Sequence, residues 1–316
     1  MRRLMVILAA VLVLIAAEGC KRRPLVEIDN NVLLNTTIER EIVNYEMEKD
    51  PEMMRVMFFD AETGKFASHS FLPHNGGYVS VLPGRTYDIL VYNFDTETTI
   101  IGQEQSKQDI HAYTNLVPEN LKSRLKSRAT KDNGEMIVFE PDHLFVGRLE
   151  DVYIPLRGEG MPVFELDIHA ETVVETWIVE IDRIRGAEYV GAATAVISGL
   201  AHNNEIATGE RSEDEATVFF EASELTKDGK FYAKFNTFGP NHDAGTVQVL
   251  SLVVTDTGGK NRCFNMNITD KFKDNPEQYI RIVTDEIVIE KPEVISGGGL
   301  APEVDKWNDI HTDILI

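Results

Sequence analysis

Residues 86 to 94, Thr-Tyr-Asp-Ile-Leu-Val-Tyr-Asn-Phe, place Tyr87, Ile89 and Val91 on one side of an extended chain and Leu90, Tyr92 and Phe94 on the other. Successive side chains of a strand point to opposite faces, so a strand apolar on both is one covered on both. Gly76 to Val79 precedes it, with Pro83-Gly84 between. Proline presets φ at the first turn position and glycine tolerates positive φ at the next. The pattern predicts a central hairpin of a β-sandwich.

The same period of two recurs along the chain. Met54 to Phe59 and Lys65 to Leu72 flank an Asp60-Ala-Glu-Thr-Gly64 turn. Thr246 to Thr255 and Lys260 to Thr269 flank Asp256-Thr-Gly-Gly259. Both read as hairpins. Strands are further predicted at residues 32–34, 136–140, 143–147, 151–156, 163–169, 173–184, 195–200, 216–220, 231–238, 280–283 and 286–289. Residues 102–135 interrupt the pattern as loop or short helix, with Pro118 suited to a first helical position. Asn203 to Asp214 reads as a polar loop. No long helix with a 3.6-residue apolar period and no βαβ alternation occurs after residue 20, so the expected class is all-β.

The first 20 residues have another character. Met1-Arg2-Arg3 is a basic start, and Leu4 to Ala17 is an apolar run too short to span a bilayer. It ends at Ala17-Glu18-Gly19-Cys20, a cysteine where a lipoprotein signal places its acylated residue, although Glu18 departs from the usual small or apolar residue. An ordinary secretory signal is the alternative. The expected organisation is signal peptide 1–19, tether 20–30, an N-terminal β-sandwich domain 31–168, a C-terminal β-sandwich domain 169–295 and a glycine-hinged tail 296–316. In the tail, Val304, Trp307, Ile310 and Ile314 stand apolar among acids after Gly297-Gly-Gly299. Such a segment packs on its own domain or adds to another molecule's sheet.

Charge and chemistry narrow the function classes. The 316 residues carry 31 Lys and Arg against 52 Asp and Glu, a formal net charge of -21. That balance argues against nucleic-acid binding, which requires dense cationic contacts. With Cys20 acylated, Cys263 is the remaining cysteine, so no disulfide framework is expected and Cys263 reads as a structural thiol. The eight histidines are scattered, and His69 and His74, five apart, match no zinc spacing. The acidic runs lack the glycine of a calcium loop, and no Gly-x-Ser-x-Gly element occurs. No metal, no cofactor and no catalytic residue is expected. Tyr78, Tyr87, Tyr92, Trp177 and Phe235 read as core before carbohydrate platform.

Residues 76–97, Asp142-His-Leu-Phe-Val-Gly147, Phe235-Asn-Thr-Phe-Gly239, Val253-Val-Thr-Asp-Thr-Gly-Gly259 and Pro302-Glu-Val-Asp-Lys-Trp-Asn-Asp309 together resemble an uncharacterised lipoprotein family of the Bacteroidales, grouped near the fimbrillins of type V pili. The resemblance implies two tandem transthyretin-like β-sandwich domains, a lipid on Cys20 and an outer-membrane or cell-surface location. It also implies a non-enzymatic role as pilus subunit, anchor or adhesion component, with other pilus subunits as partners. In fimbrillins a trypsin-like protease removes the first strand and a neighbour's terminal segment fills the gap. Here Arg40 and Lys49 are the candidate cut sites, and Val304 to Ile316 the candidate donor. A member that keeps its lipid and first strand would be an anchor or accessory subunit. The alternative is a surface lipoprotein that binds glycan for nutrient capture.

Overall fold

The computed structural model describes residues 31–125, 136–158, 161–221, 224–241, 245–292 and 308–309. The first stretch forms β1 (Val32–Ile38), β2 (Met53–Asp60), β3 (Phe66–Pro73), β4 (Gly76–Val79), β5 (Arg85–Asn93), β6 (Thr99–Gly102), β7 (His111–Thr114) and α1 (Glu119–Leu125). Then come β8 (Ile137–Phe139), β9 (Phe145–Ile154), β10 (Phe164–Thr172), β11 (Glu175–Asp182), β12 (Val190–Ala201), β13 (Asn203–Glu205) and β14 (Glu210–Arg211). The last third adds β15 (Glu215–Glu221), β16 (Glu224–Leu225), β17 (Phe231–Thr237), β18 (Val249–Asp256), β19 (Asn261–Asn267), α2 (Thr269–Phe272), β20 (Tyr279–Val283) and β21 (Asn308–Asp309). The fold is nearly all β, as the alternation predicts.

The N-terminal sheet has seven strands in the order β3-β2-β5-β9-β10-β1-β4. β5 is buried on both faces. Tyr87, Ile89 and Val91 join the core of Val32, Leu34, Val56, Phe58 and Ile168, while Leu90 and Tyr92 join a second core with Met57, Phe59 and Leu144. The hairpin expected over residues 76–94 does not form. β4 pairs with β1 at the sheet edge, β5 pairs with β2 and β9, and residues 80–84 cross between them. The Pro83-Gly84 turn is present, with Gly84 at φ +74° and its N–H donating to Ile154 O at 2.7 Å. It turns the chain into a crossover because β9, β10 and β1 lie between β5 and β4 in the sheet.

Two further sheets pack face to face. One has the order β16-β17-β11-β20 and the other β21-β19-β18-β12-β15-β8. Trp177, Val179, Ile181, Phe231 and Phe235 from the first meet Ile197, Phe220, Leu252, Phe264 and Met266 from the second. Both tight hairpins predicted from the Asp60–Gly64 and Asp256–Gly259 signals form, β2–β3 and β18–β19. In each the leading aspartate accepts turn N–H groups, Asp60 from Thr63 and Asp256 from Gly258 and Lys260.

The halves are stitched together. β8, from the middle of the chain, pairs in parallel with β15 in the C-terminal sheet. β6 and β7 form a four-stranded sheet with β13 and β14. Asn203 to Asp214 is therefore a hairpin with Ile206 and Ala207 buried in the second core, where a polar loop was expected. Its two apolar residues are too few to show a period. Predicted strands 143–147 and 151–156 merge into the single β9, which carries Asp151 at φ +53° as an irregularity between them. Cys263 is half-buried on the outer face of β19, in a cluster with Val253, Phe219 and Leu125 of α1. Residues 286–289 form an isolated bridge, Arg185 to Val288, in place of the expected strand.

Candidate functional site: the first strand and the junction beyond it

β1 lies between two partners. It runs parallel to β10 from Val32–Phe164 to Ile38–Ala170, and antiparallel to β4 from Val32–Val79 to Asn35–Gly76. Val32, Leu34, Thr36 and Ile38 point inward and are buried, while Asn35 and Thr37 are exposed. The period of two gives this strand one buried face and one exposed face. It presents one apolar face and a row of backbone hydrogen bonds on each edge.

The segment after β1 crosses to the C-terminal half. The Glu39 carboxylate accepts the Thr172 N–H at 2.9 Å. Asn44 sits at φ 56°, a left-handed conformation that asparagine tolerates. Its amide donates to the carbonyls of Glu277 at 2.8 Å, Gln278 at 3.1 Å and Thr176 at 3.3 Å. Tyr45 then stacks on His143, with ring centroids 3.7 Å apart and planes at 25°. A cleft of about 390 Å³ opens beside the segment, lined by Glu39, Ile42, Arg148, Glu171, Glu175 and Arg211 among others.

His143 is the centre of this junction. Its Nδ1 lies 2.9 Å from Thr172 Oγ1 and its Nε2 2.8 Å from Thr176 Oγ1. The Thr176 hydroxyl donates onward to Asn236 Oδ1 at 2.8 Å. That leaves Thr176 Oγ1 to accept, so Nε2 carries the proton and Nδ1 is the acceptor facing the Thr172 hydroxyl, whose one proton it shares with the Val174 carbonyl at 3.2 Å. Burial, helped by nearby Lys234, holds the His143 pKa down at about 4. Asn236 also ties in Glu140, donating its N–H to Oε2 at 3.0 Å. Burial raises the Glu140 pKa against that hydrogen bond. The His143 ring and its Thr172, Thr176 and Asn236 partners thus form one hydrogen-bonded set of uncharged groups, with the Glu140 carboxyl at its edge. Sequence reading passed over His143, Tyr45 and Asn44 because their partners lie far away along the chain.

The predicted site residues fall in different places. Arg40 and Lys49 bracket the crossing segment and both side chains are exposed, at 59% and 72%. Arg40 pairs with Asp50, and His74 Nε2 lies 3.4 Å from the same carboxylate. Lys49 pairs with Glu52. Cys20, Val304, Trp307, Ile310 and Ile314 lie outside the described residues. Of the tail, Asn308 and Asp309 are described, and they pair in parallel with Phe264 and Asn265 at the edge of β19. Among the described residues, no three His, Cys, Asp or Glu side chains gather as a metal site.

One exposed aromatic row stands apart from the junction. Phe71 and Phe94 meet at 5.1 Å, His69 lies 5.5 Å from Phe71, and the Arg55 guanidinium sits 5.6 and 5.4 Å from the two phenyl centroids. Tyr78 is 56% exposed, contrary to its expected place in the core, because β4 is an edge strand and Tyr78 is on its outward side.

Comparison with known proteins bears on this arrangement. The model of the family DUF5119, a domain of unknown function, matches residues 19–221. The chain belongs to the DUF5119 family. The match takes in β1, the crossing segment and His143, and reaches the end of β15. This DUF5119 chain is 26% identical, over 96% of its length and 94% of the other's, to a protein of Bacteroides ovatus assigned as the fimbrium anchoring subunit Fim4B. Its fold is similar to that of a candidate adhesin from Bacteroides ovatus, with a TM-score of 0.63 at 23% identity, covering 87% of this chain and 98% of that one. It is also similar to the fimbrial anchor protein Mfa2 of Porphyromonas gingivalis, with a TM-score of 0.50 at 13% identity, covering 80% and 89%. At these identities the structural likenesses establish the β fold alone.

Proposed function

We propose that the protein is a non-enzymatic, lipid-anchored component of a fimbrium at the cell surface, serving as its anchoring subunit. The observation that carries this reading is the match to a fimbrium anchoring subunit over 96% of this chain and 94% of the other. The lipid on Cys20 holds the chain to the outer membrane. Partner subunits are engaged by β-strand addition, through the tail residues Val304, Trp307, Ile310 and Ile314. The pairing of Asn308 and Asp309 with the edge of β19 supports the tail's capacity to extend a sheet. An anchor retains its first strand, and cleavage after Arg40 or Lys49 belongs to a subunit that polymerises. The seating of β1 between two strands, with the next segment fastened by Asn44 and Tyr45, supports retention. The test is a Cys20→Ser chain in the native cell. Fimbriae should appear in the medium instead of on the cells; fimbriae that stay cell-bound would refute the anchoring role.

The second reading, glycan binding, draws support from the Phe71–Phe94 row. Those rings tilt 56° from one another and flank Arg55, so they do not form one flat stacking platform. Retained glycan binding after Phe71→Ala would dismiss that row as its site.

A further inference from the structure

The N-terminal sheet has two distinct ends. At one, β1 ends at Ile38, β5 at Asn93 and β10 at Thr172, and there the junction leads into the C-terminal half. At the other, β1, β5 and β10 begin and β9 finishes, as the pairings Val32–Phe164 and Arg85–Ile154 require. Asn31 is bound into this second end. Its amide donates to Val81 O at 2.8 Å, and its own carbonyl accepts the Phe164 N–H at 3.1 Å.

Several large apolar side chains at this second end are exposed among the described residues. Leu82 is 44% exposed, Met161 53% and Leu156 70%. Leu156 lies beside Gly84, within 3.3 Å of where a Cβ there would stand, and Arg157 and Gly158 hold the Met161 turn by hydrogen bonds. Tyr153 and Tyr78 stand on the outward side of the sheet close to the same end, both more than half exposed. Large apolar side chains gathered on a soluble surface mark a contact. Leucine and methionine tips rimmed by tyrosines suit the boundary between acyl chains and headgroups.

The chain itself indicates the occupant. Ten residues lie between Cys20 and Asn31, so the eleven steps from one to the other reach at most about 38 Å when fully extended. A lipid on Cys20 therefore keeps the bilayer within a few nanometres of the end at which Asn31 emerges. We infer that the tip formed by Leu82, Leu156 and Met161 docks into the surface of the membrane that holds the acyl group, with Tyr78 and Tyr153 at the headgroup level. The inference rests on the lipid-anchor reading above. The attraction is hydrophobic. Exposed Arg85 and Arg157 share this end with Asp60 and Glu62, so the local charge is mixed and a net electrostatic pull on lipid headgroups is not required.

Docking would fix the molecule's direction. β5 alone runs nine residues, about 30 Å, so the C-terminal half and its tail would be held that far from the bilayer. Lipidation alone tethers a protein without orienting it.

The test uses the acylated full chain with Cys263→Ser, reconstituted into phosphatidylcholine vesicles that contain spin-labelled lipid. An environment-sensitive fluorophore is attached through Leu156→Cys, Met161→Cys or, as control, Val283→Cys in the C-terminal half. The probes at 156 and 161 should shift to the blue and be quenched by the spin label, unchanged by salt, while the probe at 283 stays water-like. Probes at 156 and 161 that remain water-like on vesicle-bound chain overturn the docking and leave the anchor reading standing. A blue shift without quenching by lipid also overturns it, assigning the tip to a second copy of the chain. An unacylated Cys20, seen by mass spectrometry of the chain from its native cell, overturns the anchor reading and this inference with it.

Discussion

His143 shows how one side chain can serve two halves of a molecule. It is neutral because it is buried, and it stays so because two threonine hydroxyls satisfy both ring nitrogens. Its folded pKa, about 4, lies below its ordinary value of 6.5. The unfolded state therefore binds the proton first. The stability that His143 contributes is complete above pH 6.5 and is lost as pH falls from 6.5 toward 4, up to about 3 kcal/mol by linkage. Glu140, raised by burial, acts oppositely. Its contribution is present below the ordinary carboxylate pKa and lost as pH rises through its folded value. Urea unfolding from pH 4 to 7 should show stability climbing with pH, and His143→Gln should flatten that climb. An equally steep climb in the variant would assign the effect to other groups. Nothing in the sequence singles out His143 among eight histidines. Its partners Tyr45, Thr172 and Thr176 are brought to it by the fold.

At the scale of elements, hairpins were legible and long-range pairings were not. Asp60–Gly64 and Asp256–Gly259 encode their turns locally, through aspartate acceptors and a closing glycine, so β2–β3 and β18–β19 could be read directly. The strand at β5 was legible too, because seven of its nine residues are buried and alternation shows on both faces. Its neighbours were not. β1 with β10 and β11 with β20 are parallel pairs whose partners lie roughly a hundred residues or more apart, joined by no turn that a sequence could advertise. The misread hairpin at residues 76–94 is the same failure, since a Pro-Gly turn specifies a change of direction but no partner. The β1–β4 seam that replaces it depends on Gly76. That residue sits at φ +96°, and a Cβ there would stand 1.9 Å from the Leu34 carbonyl oxygen. Gly64 has φ +67° and open space around it. Gly64→Ala should cost about 1–2 kcal/mol from the left-handed backbone alone. Gly76→Ala should cost several kcal/mol more or prevent folding, because backbone must move. Equal urea midpoints for the two variants would contradict the seam.

For the whole molecule, the β body expected from the sequence is present over the described residues, and the structure adds the arrangement of its two halves. The described chain enters the N-terminal sheet at Asn31, and the C-terminal half joins at the opposite end through Asn44, Tyr45 and His143. The four-stranded sheet of β6, β7, β13 and β14, and the lending of β8 to the C-terminal sheet, make the halves share structure. Those contributions come from short strands of two to four residues, below the length at which alternation can be recognised. This arrangement suits a part that stands on a membrane and presents its far end to partners, with β1 left in place. The start of the mature chain separates an anchor from a subunit that has lost its first strand. Mass spectrometry of the protein purified from its native cell envelope should find an acylated Cys20 as the first residue, with Val32–Ile38 still attached. A mature chain that begins after Arg40 or Lys49 would contradict the anchoring role.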